Sequence, residues 1–250
     1  MFGSVGSVGS LGSVGSLGSV GSLGSVPALG NRFVCRVCLG PVHEGFADCP
    51  GCHELFAGGG APPWLGVTVV PMTSALNPGP WYSRLLTYKR GNPEHAPLLG
   101  ALASAYLAEH SRHLERLLGG APTLLTLVPS KRGVSFAEQP LRQALAAPAT
   151  LPLPLVETLV HLGGGKRHRY TPEIFGSARA SLFERRIVLI EDTWVTGATA
   201  LSAAGALMNE GAESVCIVPI ARCIDASFWG EGHPYREAMK LAYDIRQWPR

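Results

Sequence analysis

The stretch "IVLIEDTWVTGAT", residues 187–199, decides how this chain is read. Four aliphatic residues run directly into two acids, Glu191 and Asp192, and a turn with Thr196, Gly197 and Thr199 follows. A continuous apolar run of this kind suits a strand buried on both faces. In an open parallel sheet, ligands bind at the carboxyl ends of the strands, where these acids would stand. A helix starting at Gly197 would aim the backbone amides of residues 196–199 into one concavity, with the helix dipole behind them. Thr196 and Thr199 add hydroxyl donors, and Gly197 admits a close backbone approach or a positive φ. Donors for a phosphate then lie beside carboxylates that accept from vicinal hydroxyls, and a sugar phosphate needs both at once. Acids at a strand end also serve simply to cap the next helix. The thirteen-residue pattern taken whole favours the ligand reading.

The flanking sequence supplies the rest of a sheet. "PTLLTLVPSKRG" (122–133) reads as a buried strand ending in Ser130, Lys131 and Arg132, residues suited to anions, with arginine able to grip oxygens bidentately. A helix is expected over 136–147 and a strand over 153–162. The basic, glycine-rich "GGGKRHRYTP" (163–172) reads as a loop carrying Lys166, Arg167 and Arg169. "GATALSAAGALMNEG" is a helix that stops at Gly211, and residues 214–222 form a further strand. Upstream, "WLGVTVVPM" (64–72) is a strand, "NPGP" (77–80) breaks the chain, and one long helix is expected over 94–118. A short helix is expected near 235–243. Apolar strands alternating with helices predict an α/β fold, a parallel sheet covered by helices on both faces.

The N-terminal part is of another kind. Residues 3–26 are eight copies of Gly-Ser-Val or Gly-Ser-Leu. A period of three builds neither a helix face nor a strand face, so residues 1–30 are expected to form a disordered tail. "CRVCLGPVHEGFADCPGC" then places Cys35 and Cys38 in one CxxC pair and Cys49 and Cys52 in another, ten residues apart. Two such knuckles suit a tetrahedral four-thiolate site, which favours a structural Zn2+ and leaves no open position for catalysis. Two disulfides, or reduced thiols without metal, are the plain alternatives. Residues 31–58 are thus expected to form a small zinc ribbon, and 62–250 the main domain.

Together these features resemble a known family. "IVLIEDTWVTGAT" is similar to the PRPP-binding signature of type I phosphoribosyltransferases: four hydrophobic residues, two acids, then a Thr-Gly-x-Thr turn. The four-cysteine module ahead of it, with "YKRGN" at 88–92, resembles the competence-associated ComF members of that family. The resemblance implies the type I, Rossmann-like sheet over roughly residues 31–225. It implies that Glu191 and Asp192 hold the ribose hydroxyls, and that Thr193, Val195, Thr196, Gly197, Ala198 and Thr199 surround the 5-phosphate. Ser130, Lys131 and Arg132 would bind pyrophosphate, and Lys166, Arg167 and Arg169 would close over it from a flexible loop. Mg2+ would accompany PRPP. Two departures stand out: Val195 replaces the usual Thr or Ser, and "KRGVSFAEQP" replaces an Arg-Gly-Phe-Asn-Gln segment. The implied reaction transfers a 5-phosphoribosyl group to a nitrogen acceptor with release of pyrophosphate. The other reading keeps the site for PRPP sensing in a DNA-uptake or competence accessory protein, with a DNA-processing protein as partner. A homodimer is compatible with either.

Composition sets outer bounds. The net charge of +3 suits an anionic small molecule and does not call for nucleic acid. Residues 31–56 hold Arg32 and Arg36 against three acids, which argues against direct nucleic-acid binding by the ribbon. No stretch of 18 apolar residues predicts a membrane span, no secretion signal is evident, and a cytoplasmic location is expected.

Overall fold

The computed structural model describes residues 23–26, 32–56, 66–146, 151–164, 168–178, 181–241 and 243–247. Helix α1 (Pro50–Phe56) follows Cys49 directly and carries Cys52 of the second cysteine pair. Strands β1 (Val67–Val69) and β2 (Thr73–Asn77) follow, then helix α2 (Pro80–Lys89), α3 (Ala96–Glu109) and α4 (Ser111–Leu118). Strand β3 (Leu124–Leu127), helix α5 (Pro140–Ala146) and the antiparallel pair β4 (Leu159–His161) and β5 (Phe175–Ser177) come next. The chain ends with β6 (Arg186–Trp194), α6 (Ala198–Asn209), β7 (Ser214–Asp225) and α7 (Pro234–Met239).

The main sheet is parallel, with β7 pairing both β1 and β2 on one side and β6 on the other, and β6 pairing β3. Residues 70–72 interrupt the edge strand at Pro71, yet the amides of Val70 and Met72 still donate to Ile217 and Pro219 of β7. Alternation along β6 explains why its run is apolar throughout. Val188 and Ile190 pack among Leu85, Leu99, Tyr106 and Leu141 on the α2–α5 side. Ile187 and Leu189 pack against Ala200, Leu201 and Ala204 of α6. Both faces are covered along 187–190, so the acids follow only where this apolar run stops, and Thr193 and buried Trp194 complete the strand beyond them. The α/β architecture expected from the sequence is the one observed.

Several elements differ in detail. The helix expected over 94–118 is two helices divided at His110, which is buried, with Nε2 2.6 Å from the carbonyl of Ile245. The helix expected over 136–147 opens as a 3-10 turn at 136–138 before α5. The strand expected over 153–162 splits: Leu155 bridges β3 in parallel, and only 159–161 form β4, in a separate ribbon with β5. Helix α2 had no counterpart in the sequence reading. Proline at its first turn and buried Trp81, Leu85 and Tyr88 on one stripe account for it.

Residues 23–26, expected within the disordered tail, lie against β2. The Gly24 amide donates to the Ser74 carbonyl (3.0 Å), the Ser74 amide to the Gly24 carbonyl (2.8 Å), and Leu23 is buried. A Cβ at Gly24 would stand 2.7 Å from the Ser74 oxygen, so only glycine fits. The remaining repeats and the linker at 57–65 lie outside the described residues.

Candidate functional site

Because the strands are parallel, their carboxyl ends share one rim. From one edge it reads Asn77 of β2, Asp225 of β7, Glu191 and Asp192 of β6, then the loop after β3. That loop is held to β6 by the Val128 amide, which donates to the Ile190 carbonyl (3.0 Å). It turns where Ser130 Oγ accepts from the Arg132 amide (3.2 Å) and Gly133 takes φ +68°. A cavity of about 440 Å³ opens at this part of the rim. It gathers Ser130, Lys131 and Arg132 with Glu191, Asp192, Thr193, Val195, Thr196, Gly197, Ala198 and Thr199.

The two acids have different surroundings. Asp192 pairs with Lys89 Nζ at 2.9 Å, and Lys89 also donates to the Thr193 hydroxyl. The Thr193 hydroxyl donates to Asp192 Oδ1 at 3.4 Å, so this side chain faces the ion pair and not the 196–199 turn. Burial works against the Lys89 charge, but Asp192 beside it and Glu191 nearby hold its pKa above the ordinary value. Lys89 was missed in the sequence. Its signal was the "YKRGN" segment, but its pairing with Asp192 spans most of the domain and leaves no local trace.

Glu191 Oε2 is buried and has no hydrogen-bond partner. Burial, and then the neighbouring Asp192 charge, push its pKa from 4.5 up to about 8, against the pull of Lys89 and Lys131. The carboxyl's contribution to stability is therefore full below pH 4.5 and is lost as the pH rises through about 8. Glu191→Gln removes this titration. Its Tm relative to wild type should rise by roughly 5 °C between pH 5 and pH 9. A pH-independent difference in a thermal-shift series would show that Glu191 is not held in this way.

The turn after β6 is built by exclusion. Gly197 has φ +82°, and a Cβ there would stand 2.0 Å from the Trp194 ring, which is fully buried. Helix α6 starts immediately after it, so the amides of its first turn have no helical acceptor and point into the cavity mouth. Thr196 Oγ1 accepts weakly from the Ala198 amide (3.4 Å) and lies 3.5 Å from His168 Nδ1. Val195 is 57% exposed at the lip.

The β4–β5 ribbon carries the basic loop. Its return limb is anchored on α6, where the Thr171 amide donates to Ser202 Oγ (2.8 Å) and Tyr170 packs over Gly205. Arg169 is exposed on this limb, and Lys166 and Arg167 lie outside the described residues. His161 does not line the cavity. Its Nδ1 accepts from the Gly163 amide (3.0 Å), and burial, then Lys131, lower its pKa.

Cys35, Cys38, Cys49 and Cys52 converge, their sulfurs all within 4.8 Å of one another and Cys38 3.7 Å from Cys49. All four are buried and unbridged. Zn–S bonds of about 2.3 Å in a tetrahedron put sulfurs about 3.8 Å apart, so the cluster fits zinc. These residues share a core with β6, β7 and α6, so the module is built into the main domain's packing. The link is Arg222, a buried guanidinium on β7 whose Nη1 donates to the carbonyls of Trp194 (3.1 Å), Val195 (2.8 Å) and Cys223. A Cβ at Gly40, in the first knuckle, would stand 2.7 Å from its Nε. Burial alone would lower the Arg222 pKa. The charges of Cys38 and Cys49 raise it above the ordinary value instead.

No protein-family model and no curated protein matches this chain. Solved structures similar to it include a hypoxanthine phosphoribosyltransferase from Staphylococcus aureus, 17% identical over 60% of this chain and 84% of that one, with a TM-score of 0.34. Another, from Trypanosoma cruzi and complexed with the product IMP, is 15% identical over 55% of this chain and 80% of that one, with a TM-score of 0.32. At such scores the likeness carries no weight for function, which rests on the geometry of the site.

Among the described residues no helix is long and apolar enough to cross a membrane.

Proposed function

We propose that this chain binds PRPP and transfers its 5-phosphoribosyl group to a nitrogen nucleophile, as a ComF-type phosphoribosyltransferase. One observation carries the reading: a single cavity holds an amide-rich turn, two adjacent acids and a basic loop. The turn takes the 5-phosphate, Glu191 and Asp192 take the ribose hydroxyls, and Ser130, Lys131 and Arg132 take the pyrophosphate. Lys89 lines the same cavity beside Asp192 and adds a cation for the incoming phosphate oxygens.

In the transfer, the C1–oxygen bond breaks and its electron pair leaves with pyrophosphate. The nitrogen lone pair forms the new C1–N bond, and the nitrogen's proton passes to solvent. The protein's part is to position the groups and to stabilise charge. Asp192 stabilises the positive ring carbon, and Glu191 accepts a ribose hydroxyl, while Lys131 and Arg132 stabilise the departing oxygens. Glu191 Oε2, buried without a partner, is a hard oxygen donor of the kind magnesium accepts. Magnesium arriving with PRPP would be held there by Glu191 in its ionised form and would supply further charge to the leaving group.

Lys131→Ala combined with Arg132→Ala tests the assignment. PRPP affinity should fall about a hundredfold, while ribose 5-phosphate, which lacks the pyrophosphate, should change less than about threefold. Equal losses for both ligands would remove the pyrophosphate role from this loop.

A further inference from the structure

A second cavity, of about 280 Å³, opens on the opposite side of the acids, at the ends of β2 and β7. It shares Val195 and Thr196 with the first and is otherwise lined by Asn77, Tyr82, Asp225, Phe228, Trp229 and the second cysteine knuckle. Building on the phosphoribosyl-transfer reading, we propose that this cavity is the acceptor site, and that it takes a flat, neutral nitrogen heterocycle and rejects acceptors bearing a carboxylate.

Position gives the first argument. Displacement at C1 needs the nucleophile in line with, and opposite to, the leaving group. Pyrophosphate lies at the β3 end of the rim and the ribose over the end of β6. The opposite side is the β7 and β2 ends, where this cavity sits. Shape and polarity give the second. Phe228 is 55% exposed although it is a large apolar ring, and it stands edge-on to buried Trp229 with centroids 4.9 Å apart. With Tyr82 it offers aromatic surface for a planar ring. Val195, which leaves an apolar side chain on the partition where a hydroxyl would be expected, extends that surface.

Charge gives the third argument. Asp225 Oδ1 accepts from the Ser227 amide (2.8 Å) and hydroxyl (2.6 Å), the Phe228 amide adds a further bond, and an exposed carboxylate keeps acceptor capacity for a ring N–H. Arg222 is the one cation among the lining residues; its Nη1 donates to three backbone carbonyls, and its Nε–Nη2 edge is buried against Gly40 of the first knuckle. A carboxylate entering here would meet Asp225 and find no free cation to pair with, which is unfavourable in a partly enclosed site.

The test is calorimetric titration of adenine, benzimidazole, anthranilate and orotate into the full chain saturated with ribose 5-phosphate. The two neutral heterocycles should bind at least about tenfold tighter than the two carboxylates. Phe228→Ala should weaken the heterocycles about tenfold and Phe228→Tyr, which keeps the ring, should not. Asp225→Asn should weaken them about fivefold, and ribose 5-phosphate affinity should stay within about twofold in all three variants. Ribose 5-phosphate binding without heterocycle binding overturns the acceptor site while leaving the sugar-phosphate site standing. So does equal binding of the carboxylates, or indifference to the Phe228 and Asp225 variants. Failure of ribose 5-phosphate to bind overturns both readings.

Discussion

Removal of zinc from the four-cysteine cluster, or Cys38→Ser, should lower Tm by roughly 10 °C and loosen the phosphate turn at the same time. Arg222 is a buried guanidinium whose charge is favoured chiefly by Cys38 and Cys49. Four thiolates around one Zn2+ carry net negative charge, which the guanidinium balances. Stripping the metal and protonating the thiols leaves a cation buried without a counter-charge, a loss of about 3–5 kcal/mol for a broken buried pair. The effect does not stay local, because the same guanidinium fixes the carbonyls of Trp194 and Val195 at the entry to the turn. The check is metal content by atomic emission, a thermal melt before and after chelation, and phosphate affinity on both samples. One zinc per chain, with both properties lost on chelation, is the expected result. A metal-free protein with unchanged Tm and phosphate affinity would break the link.

Gly197→Ala should cost about 3 kcal/mol or more and reduce phosphate affinity at least about a hundredfold. Two penalties combine. The left-handed conformation costs an L-residue about 1–2 kcal/mol. The added methyl also meets the Trp194 ring at 2.0 Å, and that ring lies in the core with no room to retreat. Gly232→Ala separates the two penalties, because Gly232 also has positive φ (+85°) but a Cβ there meets nothing within 4 Å. It should show only the conformational cost and leave phosphate binding intact. Urea melts and phosphate titrations on both variants decide this. Similar behaviour of the two would mean that the Trp194 contact does not shape the turn.

The contrast between what was legible in the sequence and what was not follows contact range. The β6 run, the turn at Gly197 and the two CxxC pairs are local patterns. Each carries its physical cause within a dozen or so residues, and the structure gathers them as expected. Lys89 and Arg222 are different. Lys89 ends a helix whose stripe of Trp81, Leu85 and Tyr88 is broken up by polar residues, and its partner Asp192 lies on a distant strand. Arg222 sits in the apolar run "SVCIVPIARCID", where it read as the end of a strand. The cysteines that balance it enter from the other end of the chain. The division at His110 was hidden for the same reason, because its partner is the carbonyl of Ile245 near the C-terminus. Residues 23–26 show the same rule from the other direction: a segment with no face of its own lies on the β2 edge because Ser74 offers hydrogen-bonding groups to Gly24.

The most direct test of the central claim is calorimetric titration of PRPP with magnesium into the wild type and into Asp192→Asn, with circular dichroism confirming that both are folded. Asp192 is the acid proposed to take the ribose hydroxyls, and it already holds Lys89 at 2.9 Å, so its charge organises the cavity even before a ligand arrives. Saturable binding by the wild type at one PRPP per chain, weakened at least about tenfold in the variant, is the expected result. A folded wild-type protein that takes up no PRPP would contradict the assignment of this cavity, whatever the acids at the end of β6 resemble.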